Sequence, residues 1–239
     1  ARQILPHWRS EPPACFQALL CIPRLIEVAD QVSRDGSHVV HAFWSGHVGL
    51  VLPLLKMDRA ACLRTAFVGA YDLVADDFIL DMTAEAAEIL FSHADVNRPR
   101  LEQKASSEAS IEIVHRGIPL MEQVADASRD RLRLMTASAL VPSKNVEAVI
   151  RSFAEARARE SGLTLKIYGD GPDRLRLERL AQQLDGSGSV TFGGHIPRDE
   201  LFLEMQRASI FLLLSKKASE RLPNVLKEAL WAGCAVISS

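Results

Sequence analysis

From Leu132 onward, short apolar runs alternate with amphipathic stretches, and that alternation restricts the chain to a parallel α/β architecture. RLRLMTASAL (131–140), LTLKIYG (163–169), SVTFGG (189–194), IFLLLS (210–215) and CAVIS (234–238) read as strands. The intervening stretches read as helices. SKNVEAVIRSFAEARARES (143–161) sets Val146, Val149, Ile150, Phe153 and Ala154 on one face. PDRLRLERLAQQL (172–184), RDELFLEMQRA (198–208) and NVLKEALWAG (224–233) continue the pattern. The strand ends carry Gly, Pro or Lys, and ligands of open α/β sheets collect at those ends.

The first half is less regular. FQALLCIPRLIEVADQV (16–32) has helical spacing with Pro23 interrupting it, as in a kinked core helix or a helix lying on a membrane surface; its polar face is poor in lysine, which favours the core. HVVHAFW (38–44) reads as a buried strand and SGHVGLVLPLL (45–55) opens a helix. LRTAFVG (63–69) reads as a strand, AYDLVADD (70–77) as a loop, MTAEAAEIL (82–90) as a helix and FSHADV (91–96) as a strand exit. RPRLEQKAS (98–106) is helical and IEIVHRGIPL (111–120) is a strand ending in a turn. The polar segment 121–131 suits a linker between two domains, 1–122 and 130–239.

The chemistry concentrates in SKKASERLPNVLKEALWAGCAVISS (215–239). Ser219 is a candidate N-cap, Pro223 fits a first turn, and Gly233 fits a C-cap before a buried strand. A helix starting there turns its free N–H groups and positive dipole end toward the preceding loop, a setting for a phosphate or diphosphate. Glu220 and Glu228 bracket that setting. Carboxylates beside a phosphate site suit sugar hydroxyls rather than the phosphate itself. From the spacing alone, two solvated glutamates on a surface helix are the simpler reading. Lys144, at a strand end near a helix start, is either a phosphate partner or a solvated lysine; a cation is poorly placed there without an anion. Gly169 and Gly171 make a tight turn or admit close backbone approach, and His195 is most simply a structural turn residue.

Taken in order, LVPSKN (140–145), LKIYGDGP (165–172), FGGHIPRDELF (192–202), ASIFLLLS (208–215) and Glu220-x7-Glu228 resemble the retaining family-4 glycosyltransferases, or glycosyltransferase group 1. The resemblance covers roughly residues 132–239. More loosely, VVHAFWSGHVG, AFVGAYDL and IVHRGIPL resemble the second half of that family's acceptor-side domain. It implies an α/β fold of two Rossmann-like domains facing across a cleft (GT-B), with the N-terminal domain incomplete and the first strand and its Gly-rich loop absent. The chain begins at Ala1 rather than Met and ends within an apolar strand, so a fragment is expected.

The same resemblance implies roles. Glu220 and Lys144 are the expected catalytic residues, Glu220 on hydroxyls of the transferred sugar and Lys144 on the diphosphate. Glu228 is expected on the ribose. Leu222, Pro223, Asn224 and Val225 would offer backbone N–H groups to the phosphates, Ile196 would border the base through its main chain, and Gly169 and Gly171 would line the donor site. It further implies a nucleotide-diphosphate sugar as donor substrate with no cofactor and no metal. A glycan or lipid-linked acceptor is expected, with cytoplasmic location and peripheral contact with the inner membrane. Two departures stand out. Ala139 occupies the place of an arginine that shares the diphosphate with the lysine. Val68 or Gly69 stands where relatives carry a histidine near the sugar. Both favour an alternative: a relative that binds a nucleotide or a protein without transfer. A sugar-nucleotide epimerase on the same architecture is a third reading, less like the quoted motifs.

Composition narrows the classes. Net charge is −2 and the pI about 6.4, without the basic face that nucleic-acid binding needs. Four cysteines, Cys15, Cys21, Cys62 and Cys234, show neither metal nor disulfide-framework spacing, as expected in a reducing compartment. No apolar run approaches membrane-spanning length.

Overall fold

A computed structural model describes residues 4–123, 128–217, 219–220 and 223–239. The chain divides into two compact units, Ala1–Arg116 and Gly117–Ser239. Each is an α/β unit built on a parallel sheet.

The first unit opens with α1 (Pro12–Asp35). Pro12 and Pro13 occupy its first turn, where no N–H is needed, and Gly36 closes it at φ +63°. Pro23 does not interrupt this helix, contrary to the sequence expectation. Cys15 and Ala18 before it, and Leu25 and Ala29 after it, are buried in one core, and that packing carries the helix through the missing hydrogen bond. The strands β1 (Val39–Phe43), β2 (Leu63–Phe67), β3 (Ile89–Ser92) and β4 (Ser110–Ile113) pair in the order β1-β2-β3-β4. Helices α2 (Val51–Met57), α3 (Ala70–Ala75), α4 (Phe78–Ala86) and α5 (Arg98–Lys104) connect them.

Three expectations are corrected here. The stretch 70–77 is not all loop: Asp72 accepts from Gly69 N through its carboxylate at 2.7 Å and fixes the start of α3. The helix expected over 82–90 ends at Ala86, because Asp77 caps α4 earlier by accepting from Leu80 N at 3.0 Å, and residues 89–90 belong to β3. β1 is an edge strand rather than a buried one, with Ala42 alone buried in it. Its outward residues Val39, His41 and Phe43 continue across the sheet into Leu63, Phe67 and Phe91, and Phe43 is 58 % exposed. Among the described residues, no helix of this unit buries that face.

The second unit has the strands β5 (Asp130–Ala137), β6 (Thr164–Tyr168), β7 (Val190–Gly194), β8 (Ala208–Leu213) and β9 (Ala235–Ser238), in the order β7-β6-β5-β8-β9. Both faces are covered, as a parallel sheet requires. Leu134, Leu165, Ile167 and Leu212 pack under α6 (Val146–Arg157) and α7 (Arg174–Leu184). Met135, Tyr168, Phe211 and Leu213 pack under α8 (Arg198–Arg207) and α9 (Asn224–Trp231). The buried strand expected at 234–238 is a sheet edge: Cys234 is buried just before it, while Ala235 and Ile237 are exposed.

The stretch read as a linker is held, in its described part, on the second unit. Met121 packs in its core and accepts from Trp231 Nε1 at 2.9 Å, and Arg129 donates to Ala232 O at 2.7 Å. Among the described residues no helix is long and apolar enough to cross a membrane.

Candidate functional site

In the second sheet the strand order runs outward in opposite directions from β5, toward β6 on one side and β8 on the other. Ligands of such sheets bind where the order reverses, beyond the carboxyl ends of the strands. The loops after β5 and β8 are therefore the place to look, and they are tied together. Ser143 O accepts from Lys216 N at 2.8 Å and from Ser215 Oγ at 3.2 Å.

That tie brings Lys144 and Glu220 into an ion pair through Lys144 Nζ and Glu220 Oε1, with both side chains less than one-fifth exposed. Lys144 ends a 3-10 turn (Pro142–Lys144), and Asn145, at φ +52°, starts α6. The anion that a cation at this helix start calls for is supplied by the chain itself. Burial pushes the Glu220 carboxyl up, but the Lys144 ammonium that bonds it, with the Lys144 and Lys217 charges, holds it below the ordinary carboxylate range. Glu220 Oε2 is buried with no hydrogen-bond partner among the described residues. Such an atom has a strong demand for a donor.

Helix α9 starts at the same end of the sheet. Its N-cap is Pro223, with φ −61°, and not Ser219. Among the described residues no side chain caps this terminus, and Asn224 and Val225 open the helix with N–H groups that no described cap takes up. Leu222 lies outside the described residues. Glu228, one turn into α9, is held by Arg198, the first residue of α8, with Nη2 and Nε at 2.7 and 3.2 Å from Oε1. Arg198 is the residue that sequence reasoning missed here. It lies within the HIPRDELF stretch, but nothing in its spacing announced a partner thirty positions away.

Gly169 and Gly171 have a structural explanation. Gly169 adopts φ +114°, and a Cβ there would sit 1.9 Å from Ser138 O; at Gly171 it would sit 2.5 Å from Leu140 O. The loops after β5 and β6 are zipped together by Ser138 N to Tyr168 O at 3.1 Å and Leu140 N to Asp170 O at 2.9 Å. The close backbone approach these glycines allow is thus to the chain itself. Ile196 is partly buried against the α8–α9 core, and His195 beside it is exposed. Ala139 is exposed on the loop that carries Lys144.

In the first unit, His41 Nδ1 meets Thr65 Oγ1 at 2.8 Å, His93 stacks on Phe67 with centroids 5.8 Å apart, and His115 lies 3.5 Å from Asp95. A hollow of about 600 Å³ is lined by Asp76, Asp81, Arg100 and Lys104, whose charges pair with one another: Lys104 bonds both aspartates and Arg100 bonds Asp76. No group of three or more His, Cys, Asp or Glu is gathered for a metal among the described residues.

Comparison with known proteins adds the following. The family described as glycosyl transferases group 1 matches residues 120–239, half of the chain. An exopolysaccharide phosphotransferase of Streptomyces coelicolor is 39% identical over 99 residues, covering 41% of this chain and 10% of that protein. A GDP-mannose-dependent alpha-(1-6)-phosphatidylinositol monomannoside mannosyltransferase of Mycolicibacterium smegmatis is 25% identical over 205 residues, covering 78% of this chain and 54% of that protein. Among solved structures, a lipopolysaccharide outer core galactosyltransferase in its apo form superposes with a TM-score of 0.72 at 14% identity, covering 90% of this chain and 59% of that one. The chain thus spans between 10% and 54% of the length of these two curated relatives.

Proposed function

Because the chain belongs to the glycosyl transferases group 1 family, we propose that it is the donor-binding part of an enzyme that moves a sugar from a nucleotide-diphosphate donor to a glycan or lipid-linked acceptor, with retention at the anomeric carbon. The observation that carries this reading is the meeting of Lys144, Glu220 and the uncapped start of α9 at the reversal of the second sheet. An ammonium and helix N–H groups without a cap among the described residues suit a diphosphate, and a carboxylate with one oxygen unpartnered among those residues suits a sugar hydroxyl.

In the reaction, the bond between the anomeric carbon and the donor phosphate oxygen breaks and its electron pair leaves on the phosphate. The acceptor oxygen bonds the same face of that carbon, and its proton passes to the departing phosphate oxygen. Lys144 and the N–H groups of Asn224 and Val225 stabilise the charge that develops on the leaving group. Glu228 accepts from the ribose hydroxyls and Glu220 from the transferred sugar. Neither a metal nor a separate cofactor enters this scheme. The similarity to a GDP-mannose-dependent phosphatidylinositol monomannoside mannosyltransferase supports a donor of this class and a lipid-linked acceptor.

Ala139 favours a second reading, a relative that keeps nucleotide binding without transfer. A thermal-shift series with UDP, GDP and ADP on this chain and on Glu228→Ala tests the first part. A nucleotide at about 100 times its dissociation constant adds roughly 2.7 kcal/mol of apparent stability. A shift with one base that is lost in the variant supports donor binding at α9; no shift with any nucleotide rejects it. Glu220→Ala then separates the two readings, since transfer collapses while nucleotide binding survives if Glu220 serves the sugar.

A further inference from the structure

We infer that Arg198 is the positioning residue for Glu228 and so sets how strongly the donor's ribose is recognised; the inference rests on the donor-binding reading above. The terminal torsion of a glutamate is broad and nearly two-fold, so an unheld carboxylate offers its oxygens in no fixed direction. Glu228 is held. Its side chain is 15% exposed, and Arg198 Nη2 and Nε both end on Oε1, at 2.7 and 3.2 Å. An oxygen that accepts two N–H groups has little left to offer a third donor. No described residue donates to Oε2. The guanidinium thus fixes the carboxylate through one oxygen and leaves the other for a hydroxyl.

Both ends of the pair are anchored. Ala229, next to Glu228, is fully buried and shares one core with Phe202 and Met205 of α8. Arg198 opens α8 directly after its N-cap, Pro197. A cation at a helix start opposes the dipole and calls for an anion. Asp199 and Glu200 stand in the same turn, yet among the described residues the side-chain bonds of Arg198 go to Glu228 alone. Ile196, expected beside the base, lies two residues before Arg198 and packs on the same core. One pair of packed helices therefore carries the groups assigned to the base and to the ribose. The Arg198 side chain is 44% exposed, so trimming it opens no cavity in that core.

Isothermal titration with UDP, GDP and their 2′-deoxy forms tests this. The parent chain is expected to bind its preferred ribonucleoside diphosphate about tenfold more tightly than the 2′-deoxy form, the worth of one hydroxyl bond to a carboxylate. Arg198→Ala should cut that ratio to about twofold by weakening the ribo form alone, since an unheld Glu228 must be ordered on binding. Unchanged affinity for the deoxy form shows that the variant is folded. Arg198→Lys, a point charge in place of a fork, should fall between the two. In a Glu228→Ala background the change at position 198 should have no effect on the ratio, because Arg198 acts through Glu228. A ratio in Arg198→Ala that keeps the parent value or rises, or an equal weakening of both forms with unchanged circular dichroism, overturns the role of Arg198 and leaves the donor site standing. A parent chain that binds both forms equally takes Glu228 off the ribose and overturns the inference. A parent chain that takes neither diphosphate overturns the donor-binding reading as well.

Discussion

Lys144 and Glu220 stand 76 residues apart in the chain and form an ion pair where the strand order of the second sheet reverses. Neither is fixed by its own element. Lys144 rides on the loop after β5 and Glu220 on the loop after β8, and the hydrogen bonds to Ser143 O hold those loops in register.

The pair has a pH signature. Glu220 is held below the ordinary range in the folded chain, so it binds its proton less tightly there than in the unfolded chain, where the value is about 4.3. Its contribution is therefore present above the unfolded value and lost as pH falls through the folded one. Glu220→Gln is expected to cost roughly 1 kcal/mol near neutral pH, since the pair is partly hydrated. The gap between urea melts of the two proteins should narrow as pH falls below the unfolded value and close once it is below the folded one. A gap that stays constant down to about pH 3 contradicts the assignment.

Gly169→Ala is expected to be severe. The residue must hold φ +114° with its new Cβ against Ser138 O, a backbone atom with nowhere to move. A loss of at least about 2 kcal/mol is expected, read as a lower urea midpoint at unchanged slope.

How much of this was legible in the sequence differs by element. The strands and α-helices described in the second unit followed from apolar periodicity, because β5, β6 and β8 are covered on both faces and each helix on one. Gly169 and Gly171 announced a turn, though not that Ser138 and Leu140 are what press on them. The partners of Lys144 and Glu228 were not legible, since a pairing between loops of different strands leaves no trace in local spacing. The first unit was harder because α3 is six residues long and begun by an Asp72 contact rather than by an amphipathic stripe. The bare face of β1 was hidden for another reason: an apolar strand reads as buried whether or not a layer covers it.

Ala139→Arg restores a cation on the loop that carries Lys144. It is expected to tighten nucleoside diphosphate binding about tenfold while leaving nucleoside binding unchanged. Titration calorimetry on the single variant checks it. Equal affinity in variant and parent shows that position 139 does not reach the phosphates.

The open aromatic face of the first sheet, with Phe43 and Phe67 stacked at 5.2 Å, is expected to bind anilinonaphthalene sulfonate and to promote self-association. Phe43→Ser should lower both dye fluorescence and the apparent mass in light scattering, because it removes the most exposed ring of that row. Unchanged values place the dye and the association elsewhere.

The unequal covering of the two sheets also bears on cooperativity. One sheet is sealed on both faces and the other on one, so the free energy that resists opening is unevenly shared along the chain. Heat should then melt the first unit ahead of the second, giving two transitions rather than one, and no single midpoint describes the molecule. A nucleotide held at the reversal of the second sheet would raise the later transition and leave the earlier one where it was.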